Sequence, residues 1–531
     1  MNKKSIIEGL LLVIVLLFSS CTDQLEEKYY NPEKSTQANI PGFFTAILNN
    51  DRVRPSYWNV RTFLLMQPAV YSQTAYFTNN SSSYQQADGY TEQYWNNFYS
   101  PNSNGSGVLG MYRAMEVAYK SLSDADKATQ EIFMQAARVV LFDEASKMVD
   151  LWGDIPFSEA GSLENTSAIS NAKFDDQKEL YTTFIAGLKE AATYFSTTST
   201  NATFSKYDIL LSGNVNKWQR YANSMRLRLL MRISNYDENT AKTAVLEMLN
   251  NSSTYPLVDG SNNGNYQPAS TDILLQPLKT YTDNLNSALT ELPSHYAPDY
   301  MLNKVMKPAN DPRMDVIFDK YGATVNNAFV PNKEYSAMPI DATSAFAENN
   351  YMKYAIVDST TLLQNKSLPG IVITAPEVNF LKAEAFERWG STADAKTAYE
   401  TAVKQSVSFY YYLNALNTSG LKVVTKPSDN EINDFVTSRV TYTGTPTEKL
   451  AKIWVQKWVH FGWLQSVQAW SEYRRTKYPQ LTFPSTGKLS GYETPPTRLI
   501  YPSGEKSNNA DNYATVQSKD TRTTKIFWDV K

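Results

Sequence analysis

A chain of 531 residues that is 42% hydrophobic and 19% charged is not disordered and has ample material for a large core. Lysine and arginine total 50 against 53 acidic residues, a net charge of −3, which argues against nucleic-acid binding, since that draws on a basic patch. Two histidines, His295 and His460, and one cysteine are too few ligands for a four-coordinate His/Cys metal centre and make Cys/His catalysis hard to build.

The first elements form an export signal. Lys3 and Lys4 give a basic start, and residues 10–18 (LLLVIVLLF) are an unbroken apolar run. At 1.5 Å per residue, that run is too short to cross a hydrocarbon core roughly 30 Å thick, so it reads as a signal core and not as a membrane span. Ser19, Ser20 and Cys21 follow. Small residues before a cysteine resemble the cleavage box of a bacterial lipoprotein, in which the cysteine is acylated with palmitate-type chains and becomes the mature N-terminus. An ordinary secretory signal is the other reading, but Cys21 stands at the one place that explains it. Residues 1–20 are therefore expected to be a lipoprotein signal peptide, 21–35 a lipidated tether and 36–531 one domain. Asp23, Glu26 and Glu27 resemble the acidic tag of surface-exposed lipoproteins, or form a simple solvated tether.

Helical periodicity dominates from about 108 to 250 and from about 375 to 475. Residues 131–149 read as one helix and 218–233 as another, the latter with Trp218, Tyr221, Ala222, Met225 and Leu229 on one stripe. Arg226, Arg228 and Arg232 lie on its other sides and are expected to pair with carboxylates of packed helices in preference to phosphates. Across 377–405, Ala383, Phe386, Gly390, Ala395, Tyr399 and Ala402 fall at the small and large positions of a tetratricopeptide-type helix pair. Similar pairs are expected around 110–150 and 172–234. The expected fold class is all-α, mostly helical, with a tetratricopeptide-like helix-pair scaffold. Residues 71–109 and 255–370, rich in Asn, Gly, Ser, Pro and Tyr, are expected to form a loop-rich face.

Six segments in order resemble the SusD/RagB-like family of outer-membrane nutrient-binding lipoproteins, in its second SusD-like branch. They are DLWGDIPFSEA (150–160), NKWQRYANSMRLRLLMRIS (216–234), NDPRM (310–314), APEVNFLKAEAFERWG (375–390), IWVQKWVHFGWLQSVQAWSEYRRTKYPQL (453–481) and RLIYPSGEKSNN (498–509). The resemblance implies four tetratricopeptide-like helix pairs carrying an irregular ligand-binding face. It also implies a SusC-like TonB-dependent outer-membrane transporter as partner, with an oligosaccharide or oligopeptide as the captured nutrient. The six segments themselves read as framework: Gly153 and Pro156 end a helix and set a turn, and Lys457, Trp458, Trp470, Arg474 and Arg475 belong to docked helices.

Residues 71–100 hold nine aromatic rings, eight Asn or Gln and only Asp88 and Glu92 as charges. Rings beside neutral amides suit a neutral polar ligand, a sugar above all, and they suit an extended peptide too. Tyr76, Tyr84 and Tyr90 are the first expected contacts. Tyr71 and Trp95 are included, although Trp95, Phe98 and Tyr99 also fit the start of a core helix. A second stretch, 259–268, supplies Tyr266, with Tyr296 and Tyr300 downstream. Asp259, Ser261, Asn263 and Gly264 echo a calcium loop, but Ser270 stands where a bidentate Glu is needed, so the stretch reads as a turn. No catalytic residue, metal or cofactor is expected, because no G-x-S-x-G, H-E-x-x-H or phosphate-loop motif occurs. A two-carboxylate hydrolase and a purely structural repeat scaffold remain the competing functions.

Overall fold

The computed structural model describes residues 39–531 except 103–104, 162–170, 262–265, 279–284 and 292–294. The signal peptide, the tether and Cys21 lie outside the described residues. So do Asn263 and Gly264 of the turn.

The protein is mostly helical, as its periodicity requires. Among the described residues, four helix pairs build the scaffold: Val108–Lys120 with Asp124–Trp152, Gln177–Thr197 with Val215–Ile233, Ala375–Trp389 with Thr392–Ala415, and Pro446–Phe461 with Ser466–Thr476. Successive pairs touch, so each buries the face its neighbour leaves open. Side chains set most of the starts. Ser123, Asp176, Asn214, Thr374 and Ser391 each accept a backbone N–H of the first turn. Thr445 and Glu448 form a reciprocal capping box. Both helices expected from periodicity are present and run longer, to Asp124–Trp152 and Val215–Ile233.

Aromatic rings fill the gaps between helices. Phe44, Phe133, Phe204 and Trp218 form one cluster, with Phe44 5.4 Å from Phe133 and 5.5 Å from Phe204. In the third pair Ala383, Ala395 and Ala402 are fully buried and Tyr399 packs 6.4 Å from Phe380, as the small-and-large pattern predicts. Gly187 admits a close approach: a Cβ there would stand 2.4 Å from the Phe142 ring. Gly153 ends the long helix at φ +82, and Ile155–Pro156 then pairs with Phe174–Asp175.

Charges tie the pairs together. Arg228 holds Glu377 through two bonds, 2.6 and 2.8 Å. Arg475 clamps Glu384 at 2.7 and 2.6 Å and also reaches Glu472, which takes Lys457 at 2.5 Å and Arg232 at 3.0 Å. Arg226 lies over the Tyr255 ring at 5.6 Å. Two of the three arginines thus pair with carboxylates as expected. His460 is buried between Thr374 and Ser406 hydroxyls, and burial pushes its imidazole down to about 3, so it is a neutral packing residue.

Buried carboxyl groups divide into two classes with opposite pH consequences. Burial pushes the Asp272 carboxyl up to about 7 from an ordinary 3.8, and raises Asp358, which also faces Asp319. Burial would raise Glu144 and Glu384 as well, but Lys147 and Arg52, and Arg475 and Lys457, hold them down to about 2. Folding therefore takes up protons at the first class, and that stabilisation is lost as pH rises from 3.8 through about 7. The second class stabilises above 4.5 and is lost as pH falls towards 2. Asp272 and Asp358 are therefore expected to lower the melting temperature as pH rises through about 7, and Glu144, Glu384 and the neutral His460 to lower it as pH falls. Asp272→Asn should flatten the alkaline side of the profile in a calorimetric scan, and an unchanged slope would contradict the assignment.

Candidate ligand-binding face

The irregular segments gather on one side of the scaffold. Residues 71–85 form a strap whose bonds run to distant parts of the chain. Asn79 N–H donates to Ala342 O at 3.0 Å, Gln73 Nε2 to Thr482 O at 2.6 Å, and the Tyr84 hydroxyl to Pro484 O at 3.3 Å. Lys488 Nζ donates to Asn80 O at 2.8 Å, to Ser83 Oγ at 3.2 Å and to Asn79 Oδ1, and it lies 4.8 Å from the centre of the Tyr84 ring.

Beside the strap, residues 295–363 fold on short ladders. Phe318–Asp319 pairs with Ile356–Val357, and Tyr296 bridges to Ile356. From this base projects a hairpin, Gly322–Val325 with Ala328–Pro331. Its two-residue turn, Asn326 and Asn327, has φ of 51 and 63, the left-handed pair that a tight twisted hairpin needs and that Asn tolerates best after Gly. Val325, Phe329 and Val330 on this hairpin are 51, 60 and 50% exposed. Helix Ser344–Asn350, capped by Thr343, carries the exposed Phe346.

Rings converge between these elements. Tyr76 meets Tyr296 edge-on at 5.4 Å, Tyr321 lies 6.2 Å from Phe329 and 6.0 Å from Tyr351, and Phe346 lies 6.3 Å from Tyr354. Burial, together with the nearby Tyr321 and Tyr351 hydroxyls, raises Tyr296 to about 12. The Tyr296 phenol thus stays protonated and able to donate as well as accept. Tyr76, Tyr84, Asn79, Asp299 and Lys488 enclose a small cleft of about 40 Å³, room for a water-sized group and not for a sugar ring. The Tyr76 hydroxyl is buried without a hydrogen-bond partner among the described residues. Such an orphaned donor at a cleft marks a place where a ligand group or water is accepted.

The residues expected from sequence divide into three sets. Tyr76 and Tyr84 line the cleft, and Tyr296 packs edge-on behind Tyr76. The three are 3, 5 and 6% exposed, with most of each ring packed away. Tyr71 and Trp95 are corrections: both are buried, Tyr71 against Trp470 at 5.1 Å and Trp95 against Trp152 at 5.1 Å. Both rings pack inward because the Asp88–Tyr99 helix and the strap's first turn dock on the scaffold. Tyr90 is half-buried on that helix beside Arg61, whose guanidinium is 5.9 Å from its ring. Tyr266 lies elsewhere, donating to Asp272 at 2.6 Å and lining a separate pocket with Asp259 and Lys382. Asp259 is tied to Lys382 at 2.6 Å.

Five rings were not singled out from sequence: Tyr321, Phe329, Phe346, Tyr351 and Tyr354. The available signal was the Asn-Asn pair between two apolar four-residue runs, GATV and AFVP, a hairpin pattern.

A family model described as "Starch-binding associating with outer membrane" matches residues 36–502. The chain belongs to the SusD-like family. Solved SusD-like structures share its fold along their whole length. One described as a chitin-binding protein is 22% identical, with a TM-score of 0.73 over 93% of this chain and 100% of its own. A chitin-binding SusD homologue from Flavobacterium johnsoniae is 24% identical, with a TM-score of 0.67 over 93% and 99%. A SusD homologue from Bacteroides fragilis is 18% identical, with a TM-score of 0.69 over 92% and 99%. A comparison with curated protein sequences gives no match. These likenesses bear out the helix-pair fold of the SusD-like chain.

Proposed function

We propose that this SusD-like protein is a surface lipoprotein that captures an oligosaccharide on the face around Tyr76, Tyr296, Tyr321 and Tyr351 and delivers it to a TonB-dependent outer-membrane transporter. The observation that carries the reading is the convergence of the half-buried Tyr321, Tyr351 and Tyr354 with the buried Tyr76 and Tyr296 on one loop-built face. Sugar C–H faces pack flat on such rings, and neutral phenols and amides bond hydroxyls in either sense. Two structural neighbours described as chitin-binding support a glycan over a peptide. No helix among the described residues is long and apolar enough to cross a membrane; in this reading the lipid at Cys21 holds the protein on the membrane.

Binding is tested by titrating chito- and malto-oligosaccharides and an oligopeptide into the wild type and Tyr321→Ala and Tyr351→Ala. Both rings are only half-buried, so each variant should keep its stability within about 0.5 kcal/mol while binding weakens by at least about 1 kcal/mol. The ligand should be recovered uncleaved. Peptide binding without sugar binding, or sustained hydrolysis above about 1 s⁻¹, would overturn the reading.

Anchoring is tested separately. Stable attachment takes two or more acyl signals, so Cys21→Ala should release the protein from membranes and abolish palmitate labelling. Retention after a salt wash would refute lipidation.

A further inference from the structure

A second, larger cavity of about 460 Å³ lies next to the strap and shares Tyr84 with the small cleft. Its size falls within the roughly 300–1,000 Å³ of ligand pockets. Its lining differs in chemistry from the ligand face: Arg498, Lys506 and Arg522 enter it, against one acid, Asp88.

These cations are incompletely paired. Arg522 makes no ion pair among the described residues. Its guanidinium donates to backbone carbonyls alone, Tyr84 O at 3.2 Å, Thr494 O at 2.8 Å and Gly491 O, and it lies 4.5 Å from the Tyr492 ring. Arg498 is 2% exposed and gives Nε to Leu499 O and Nη1 to Lys519 O. Its Nη2 is buried with no hydrogen-bond partner, the nearest carboxylate, Asp520, standing 3.9 Å away. That one carboxylate is already engaged by Lys506 at 2.9 Å, by the Tyr501 N–H at 2.9 Å and by the Tyr513 hydroxyl at 2.9 Å. Carbonyl oxygens orient a guanidinium without neutralising it, so the cavity keeps a surplus of positive charge beside the half-buried Tyr492 ring.

We infer that this cavity is a binding site for a carboxylate-bearing sugar, a uronic-acid residue, whose carboxylate meets Arg522 and Lys506 while its ring lies along Tyr492. The inference rests on the glycan reading above and adds a charge requirement that the tyrosine face does not impose.

The test is titration by NMR or calorimetry with D-glucuronate, D-glucose and inorganic sulfate, at low and high salt. The variants are Lys506→Gln, whose side chain is exposed, and Arg522→Gln, with melting temperature as the folding check. Glucuronate is expected to bind more tightly than glucose or sulfate and to weaken with salt. It should bind about tenfold more weakly to Lys506→Gln, the effect of one charge-assisted bond. Tyr321→Ala should leave glucuronate binding unchanged, so a failure of the tyrosine face and a failure of this cavity separate. Equal affinity for glucuronate and glucose, sulfate binding as tightly as glucuronate, or glucuronate affinity unaffected by Lys506→Gln in a folded protein would each overturn the assignment.

Discussion

Glu384→Ala is expected to destabilise the protein by about 3–5 kcal/mol. Glu384 is fully buried where three helices meet, and its two oxygens take both terminal nitrogens of Arg475. Lys457 stands 3.7 Å away and Arg388 3.5 Å. Removing the carboxylate leaves Arg475 with Glu472 as its remaining partner and Lys457 sharing that same acid. A cation surplus in a dry junction is the costly outcome, more than the loss of any single bond. Chemical denaturation with a fixed slope should read the loss directly. Glu190→Ala breaks the exposed Arg138–Glu190 pair, whose acid is 67% exposed, and should shift stability by less than about 0.5 kcal/mol. Comparable losses in the two variants would show that burial does not govern the network.

Trp95→Ala should cost about 3–5 kcal/mol and leave the affinity for sugar unchanged in whatever fraction remains folded. The indole packs between Trp152, Tyr99 and Tyr501 at 5.1, 5.3 and 5.8 Å, and its N–H reaches Glu505 at 3.2 Å. A ring held on several sides fills a cavity that cannot collapse around alanine. A lowered affinity with an unchanged melting temperature would return Trp95 to the ligand.

That pair of outcomes marks where sequence reading ran out. The scaffold was legible because its signals are local: a capping Ser391 or Thr445, then apolar residues at helical spacing. The ring-rich stretch 71–100 was legible as composition only. Counting rings does not say which way they face, and the Asp88–Tyr99 helix turns Tyr94, Trp95 and Phe98 inward while leaving Tyr90 half-buried. Tyr76 and Tyr296 meet across a sequence gap that no local pattern encodes. Tyr321, Tyr351 and Tyr354 reach the face through strand pairs of two to four residues, too short for a periodicity to register. The cation surplus around Arg522 depends on which groups its guanidinium finds, and those are carbonyl oxygens, which every residue carries.

The strap has a consequence for biosynthesis. Its Gln73 and Tyr84 bonds are made to Thr482 and Pro484, 409 and 400 positions further on. A chain translated from its N-terminus carries residues 71–85 long before the segment that fastens them exists. Helix pairs made of neighbouring segments can form as they emerge, whereas the strap must wait for closure of a loop of some four hundred residues. Ligand competence is therefore acquired last, and a polypeptide cut short before residue 482 would own much of the scaffold yet present no finished face.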